Sequence, residues 1–434
     1  MDKFEFLKKK LLEFEPYQKI GAVSKIVGLT IESKGPDAFL GELCKILTEY
    51  RKAYAEVVGF NENGVILMPL EDISGLKKGC QVLRTGQHVS VPVSGELLGR
   101  VIDALGRPLD GKKIFSKEKI PIVREAPNPL IRKRITTPIS VGIRAIDGFL
   151  TLGYGQRIGI FAGSGVGKST LLGMIARNTS ADINVISLIG ERGREVREFI
   201  EKDLKKDGLK RSIVIVSTSD QPALLRVKAL LTATAIAEYF RDKGYNVLLM
   251  VDSLTRWAMA QREVGLATGE PPTTRGYPPS VFAGLPKILE RAGNSDKGSI
   301  TGIYTVLVEA DDFNEPISDT VRGIVDGHII LSRKLAESAH YPAIDILMSV
   351  SRLMNDIVTK EHKIAAMKLR DLVATYYDAK DLIDVGAYKK GTNPKIDKSI
   401  ELIEEINKFL KQSIDESMSF EDTVQYLISI AKKI

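Results

Sequence analysis

The sequence predicts an α/β protein: a mostly parallel sheet flanked by helices, preceded by a small N-terminal β-barrel and followed by a C-terminal helical domain. Three observations carry this. Apolar runs at 158–161, 185–189, 213–216, 247–251 and 304–308 alternate with helical segments, as in parallel strands joined by crossover helices on both faces of a sheet. Earlier in the chain, short β-branched runs such as 22–29, 65–67 and 88–93 are broken by glycine, the signature of a small barrel. Beyond Asn355 the pattern turns helical, with Leu402, Ile406, Phe409, Leu410 and Ile414 on one face, and Ser419 placed to cap a last helix ending in Lys432-Lys433.

The elements follow in order. Phe4, Leu7, Leu11 and Phe14 stand at helical spacing with lysines between them, which predicts an amphipathic segment over 1–20 suited to docking or to ordinary burial. The barrel is expected over 21–95. Four positions within 97–111, Gly99, Gly106, Pro108 and Gly111, and four prolines within 121–138 make 96–140 a turn-rich connector. The α/β core is expected over 141–346 and the helical domain over 347–434. At 434 residues the chain is long enough for about three domains. Its net charge of +7 is spread along the chain rather than gathered in a tail, so it does not argue for nucleic acid. The two cysteines, Cys44 and Cys80, lack metal-site spacing and fit a reducing cytoplasm. No stretch is long and apolar enough for a membrane span.

The most informative eight residues are Ala162-Gly163-Ser164-Gly165-Val166-Gly167-Lys168-Ser169. They lie between an apolar run and the helix formers of 171–177, the strand-to-helix setting of a phosphate-binding loop. Glycine at 163, 165 and 167 lets successive backbone N–H groups turn toward one anion. The following helix adds its positive end. Lys168 is placed to reach the β- and γ-phosphates and Ser169 to ligate Mg²⁺, so Gly163 through Thr170 form the candidate nucleotide-binding site. The first position holds Ala162 where such loops usually have glycine, a change the strand end tolerates.

The run 247–251 ends in Asp252, which in a parallel sheet lies on the same edge as the phosphate loop and is the natural second holder of Mg²⁺. Hydrolysis also needs a carboxylate near the γ-phosphate to orient water. Gly190-Glu191-Arg192-Gly193-Arg194-Glu195 follows the run 185–189 and supplies Glu191. Spacing by itself does not choose between Glu191 and Glu195.

These motifs, together with Asp252-Ser253-Leu254-Thr255-Arg256, Gly276-Tyr277-Pro278-Pro279-Ser280 and Tyr341-Pro342-Ala343-Ile344-Asp345, resemble the catalytic subunits of the rotary ATPase superfamily, over about residues 20–430. Within it, the stretch from Trp257 to Pro272 and Ser349-Val350-Ser351-Arg352-Leu353-Met354 resemble the ATPases of flagellar type III protein export. The resemblance implies a RecA-like P-loop core, ATP as substrate and Mg²⁺ as cofactor. It implies that Glu191 holds the lytic water with Arg192 in support, that Tyr341 stacks on adenine, and that Arg352 is an arginine finger reaching a neighbouring subunit's site. Because Glu191 and Arg352 occur in one chain, a homohexamer with equivalent sites follows. The same resemblance implies a cytoplasmic protein at the periphery of a membrane export gate. Its partners would be chaperones, export substrates and a stator-like regulator docked on the N-terminal segment.

Two other functions compete with flagellar export. A virulence-type injectisome ATPase would share the motor residues. An RNA-translocating helicase of the terminator type would share the core, but the barrel region offers Phe39, Tyr50, Tyr54 and Phe60 without a basic-aromatic RNA-binding pattern. A non-catalytic nucleotide-holding subunit is disfavoured by Glu191 beside an intact Lys168.

Overall fold

The structure is a computed structural model that describes residues 20–62, 64–308 and 312–434. The amphipathic helix expected at the N-terminus, and the docking role given to it, lie outside the described residues.

Six strands close the barrel in the order β1-β2-β5-β4-β3-β6: β1 (Ile20–Val27), β2 (Thr30–Lys34), β3 (Glu42–Leu47), β4 (Lys52–Asn61), β5 (Gly64–Pro69) and β6 (Gln81–His88). Alternate residues point inward, so Ile31, Cys44, Ile46, Ala55, Val57, Val65, Leu67 and Val82 fill the interior. Both cysteines are free and buried there. The apolar run 88–93 leaves the barrel: Ser90–Pro92 pairs instead with Lys119–Pro121.

The central sheet runs β14-β13-β8-β12-β11-β9-β10-β7. Its strands are β7 (Val101–Asp103), β8 (Arg157–Ala162), β9 (Ile183–Ile189), β10 (Ser212–Ser217), β11 (Asn246–Asp252), β12 (Ser299–Leu307), β13 (Gly327–Leu331) and β14 (Val350–Ser351). Every pairing in that order is parallel except β13 with β14. One edge strand, β7, comes from the turn-rich stretch after the barrel and pairs with β10 through Val101↔Val214. Alternation along each strand divides the core in two. Val247, Leu249 and Val251 face the helix Ala223–Asp242, while Leu248 and Met250 face the side covered by the C-terminal helices.

Helices α1 (Arg144–Phe149) and α2 (Lys168–Asn178) belong to the core, and the C-terminal α7 (Lys360–Asp384) has α8 (Pro394–Leu410) and α9 (Phe420–Ala431) packed beside it. Leu402, Ile406, Phe409 and Leu410 are buried as the periodicity predicts, with Ile403 joining them. Ile414 is a correction: α8 stops at Leu410, and Ile414 lies beyond it, half exposed at 49%. Ser419 caps α9, its Oγ accepting from the Asp422 N–H at 3.0 Å.

The barrel is fastened to the core by Met68 and Leu70 and by a buried ion pair, Lys228 Nζ to Glu56 Oε2 at 2.6 Å, with both side chains at most 10% exposed. Removing one partner strands a buried charge, which costs about 3–5 kcal/mol. Glu56→Ala is therefore expected to lower the chemical-denaturation midpoint and to speed proteolysis between barrel and core, while Glu56→Leu with Lys228→Met restores most of the loss. An unchanged midpoint in Glu56→Ala would show the pair to be dispensable.

Candidate functional site

Strands β8, β9, β11, β12 and β13 all end on one edge of the sheet, and a cavity of about 670 Å³ opens there. Three chain segments meet in it. The first is the phosphate loop: Ala162 ends β8, Gly165 and Gly167 take φ +78° and +89°, and Gly167 stands at the N-terminus of α2. Those angles suit glycine, and the turn exposes Ser164 and Ser169 while Val166 is buried as an anchor.

The second segment leaves β11 at Asp252, whose carboxylate is 4% exposed. Its Oδ1 accepts from Thr305 Oγ1 at 2.8 Å and from Lys168 Nζ. Thr305 sits on the adjacent strand β12, so the sheet itself fixes the carboxylate.

The third leaves β9 through Gly190, whose φ of +67° turns the chain sharply and throws Glu191 into the cavity. Lys168 Nζ is 3.8 Å from Glu191 Oε1. Arg256, on the helix Leu254–Ala267, lies with Nε 3.2 Å from Glu191 Oε1, donates from Nη2 to Oε2 at 3.2 Å and from Nη1 to the Gly190 carbonyl. A side chain at 190 would meet Arg256 Cδ at 3.1 Å, so glycine also makes room for that guanidinium.

Burial raises the Glu191 carboxyl to about 7, helped by a hydrogen bond shared with Glu195 and by the charge of Asp252, against the pull of Lys168 and Arg256. The shared hydrogen bond holds Glu195 below its ordinary value. Glu195 is also the more exposed of the two, at 35% against 12%, and lies 3.9 Å from Arg192. The geometry thus separates two carboxylates that spacing left equivalent.

Two expected residues stand apart from this group, and a third lies at its rim. The Arg192 side chain is exposed, and its backbone N–H donates to Glu195 Oε2 at 3.3 Å. It precedes the helix Gly193–Glu198 with an extended backbone, which aims its side chain into solvent. The support expected of Arg192 comes from Arg256. Arg352 follows β14, which pairs with the start of β13, and its N–H donates to the Asp326 carbonyl at 3.0 Å. That places it at the level of Arg157, a strand's length from Ala162, or about 16 Å at the usual rise per residue. It is exposed there. Tyr341 is close to the loop, with Cδ1 and Cε1 3.5 Å from where a Cβ on Gly167 would stand, and is 46% exposed.

Tyr341 is held from behind by the segment linking α8 to α9. Its carbonyl accepts from the Gln412 N–H at 3.0 Å, and Gln412 Oε1 accepts from the Arg144 N–H at 2.9 Å. Arg144 also pairs with Glu416, Lys205 with Asp415, and Arg177 Nη2 donates to the Ile414 carbonyl at 2.7 Å.

Known proteins match this chain along most of its length. The ATP synthase alpha/beta family matches over residues 142–351 with its nucleotide-binding domain and over 23–86 with its beta-barrel domain, and the T3SS EscN ATPase C-terminal domain matches 358–429. A flagellum-specific ATP synthase of Bacillus subtilis is 56% identical over 96% of both chains. The chain belongs to the type III export ATPases of the ATP synthase alpha/beta family. A type 3 secretion system ATPase of Xanthomonas euvesicatoria is 49% identical over 98% of this chain and 97% of its own. The assembled ATPase EscN of enteropathogenic E. coli is 49% identical and superposes with a TM-score of 0.88 over 95% of this chain and 100% of its own.

For this export ATPase, two residues of the site were missed in the sequence. Arg256 stood inside a motif that drew attention to Asp252, and a charged residue one helical turn beyond a strand-terminal carboxylate was its only signal. Thr305 had a subtler one, a threonine within the run 304–308.

The raised Glu191 carboxyl has a sign that can be checked. Its proton is held more tightly in the folded chain than at the ordinary 4.5, so the stability it contributes is full below that value and is lost as pH rises through about 7. A carboxyl titration near 7, followed by ¹³C NMR of labelled glutamate, should vanish in Glu191→Gln. The decline in denaturation midpoint between pH 4.5 and 7 should shrink with it. A glutamate signal near 7 that survives the substitution would assign the shift elsewhere.

Proposed function

We propose that this chain hydrolyses ATP as one subunit of a closed ring and drives flagellar type III protein export. One observation carries the reading: Lys168, Asp252, Glu191 and Arg256 converge beside the phosphate loop, while Arg352 lies exposed a strand's length away, which supports a role in a neighbour's site rather than its own. ATP binds with its phosphates in the turn formed by Gly163 to Thr170, where Lys168 adds its charge. Tyr341, against Gly167, offers an aromatic face to adenine. Ionised Glu191, oriented by Arg256, holds a water and accepts its proton as the oxygen attacks the γ-phosphorus; the bond to the β-phosphate oxygen breaks, giving ADP and phosphate.

The oxygens of Ser169 and Asp252 fit Mg²⁺, a hard cation that takes the rest of its ligands from phosphate and water. When bound, it neutralises negative charge on the transferring phosphoryl group. Arg352 of the adjacent copy adds a second cation to the same charge, and head-to-tail contacts that place it there close into a homohexamer. The solved relatives include EscN assembled and EscN in complex with its central stalk EscO. That supports a ring here and a stalk-like partner.

Movement of ring interfaces would release chaperones and deliver unfolded substrates to a membrane gate, with the chain on the cytoplasmic side. No helix among the described residues is long and apolar enough to cross a membrane. The injectisome relatives stand at about the same identity as several flagellar ones. Cargo and not chemistry separates the two, and restored motility in a flagellar export mutant favours the first. The RNA-translocating reading is set aside, since the barrel is that of the ATP synthase family.

ATP hydrolysis measured against protein concentration tests the reading. Specific activity should rise with concentration and, below pH 7, fall about tenfold per pH unit as Glu191 takes up its proton. Glu191→Gln should lose roughly 10²- to 10⁴-fold and Arg352→Ala roughly 10³-fold or more. An equimolar mixture of the two should recover up to about a quarter of the wild-type rate, the share of interfaces that random assembly pairs correctly. Full activity of Arg352→Ala at every concentration would sink the shared site.

A further inference from the structure

A second cavity, of about 410 Å³, lies between the C-terminal end of α1, the strand β14 and the helix α7, and shares no lining residue with the nucleotide site. Phe149 and Met354 give it an apolar floor. Its polar lining is Ser351, Asn355, Lys363 and Arg370, and no carboxylate is among the described residues that line it.

Arg370 is the unusual member. Its Nη2 donates to the Phe149 carbonyl at 3.0 Å and its Nη1 to the Ser349 carbonyl at 3.5 Å. Two carbonyls, one of them at a helix C-terminus, offer only partial negative charge to a group with five N–H donors. Burial lowers the guanidinium from its usual value, and no carboxylate among the described residues offsets it. Arg370 is half-buried, and the fully buried arginines of the described structure are matched. Arg291 holds Glu238 at 2.8 Å, Arg100 holds Asp110 at 2.6 Å, and Arg144 holds Glu416. Even a half-buried charge is better matched than not, and the guanidinium fork is shaped for two oxygens of one anion.

We propose that this cavity is an oxyanion site, in which a carboxylate or phosphate head lies between Arg370 and Lys363. Two sources have that chemistry: a soluble phosphate, and an acidic side chain of a second copy of this chain. In either case the consequence is local. Ser351 lines the cavity and Arg352 is the next residue, so the anion stiffens the strand that presents Arg352 to a neighbour.

The test uses the full chain carrying Lys168→Ala, which weakens phosphate binding at the nucleotide site. Thermal midpoints are followed as inorganic phosphate replaces chloride at matched ionic strength, and self-association is followed by sedimentation. A soluble head predicts a saturable rise in midpoint, with the apparent Kd increased at least about tenfold in Arg370→Gln and in Lys363→Gln. A head from a second copy predicts no saturable response to phosphate and self-association weakened about tenfold in both variants. Lys363→Gln keeps the experiment decisive if loss of the Arg370 contact with Phe149 unfolds α1. If phosphate raises all midpoints alike, as general salt exclusion does, and self-association is unchanged in Lys363→Gln, the proposal is overturned.

Discussion

Lys168 is a cation that must be matched on two sides, and much of the structure can be read as the means of doing so. One match, Asp252, is fixed by the sheet through Thr305 on the neighbouring strand. The other, Glu191, hangs from a glycine turn and is steadied by Arg256. Two carboxylates and two cations therefore alternate across a partly dry cavity, and each would be costly alone. A parallel sheet is the economical scaffold for such a group, because its strands deliver their ends to one edge while remaining buried along both faces.

The balance is uneven. Asp252 is engaged by two donors and tied to the sheet, whereas Glu191 shares a hydrogen bond with a second carboxyl and sits near the threshold of ionisation. Environments that push neighbouring carboxyls toward different protonation states let one act as a fixed charge and the other as a proton acceptor. Arg352 lies a strand's length from this group, and under the proposed function it extends the same division of labour to a neighbouring copy.

Much of this was legible in the residues. The phosphate loop declares itself because its glycines, lysine and serine must be adjacent in sequence to act together. Apolar runs ending in Asp252 and leading to Glu191 are equally local. What stayed hidden depends on neighbours that folding brings from afar. Glu191 and Glu195 differ in burial and partners, not in spacing, and Arg256 rather than Arg192 supports Glu191 because a turn at Gly190 faces the helix carrying Arg256. Ile414 matched a helical period that ends at Leu410, since periodicity records a face and not where a helix stops. The barrel was visible as a class, but the run 88–93 has the same β-branched look inside it and outside it.

The segment between α8 and α9 is pinned at Gln412, Ile414, Asp415 and Glu416 by contacts with Tyr341, Arg177, Lys205 and Arg144. Three of those partners belong to the core that surrounds the phosphate loop, and the fourth is the aromatic residue at its rim. The C-terminal helices are consequently not a cassette. A chimera that exchanged them between relatives at a boundary after β14 would sever four anchor points at once, and would need the matching residues at 144, 177, 205 and 341 carried along for the Tyr341 side of the cavity to keep its shape.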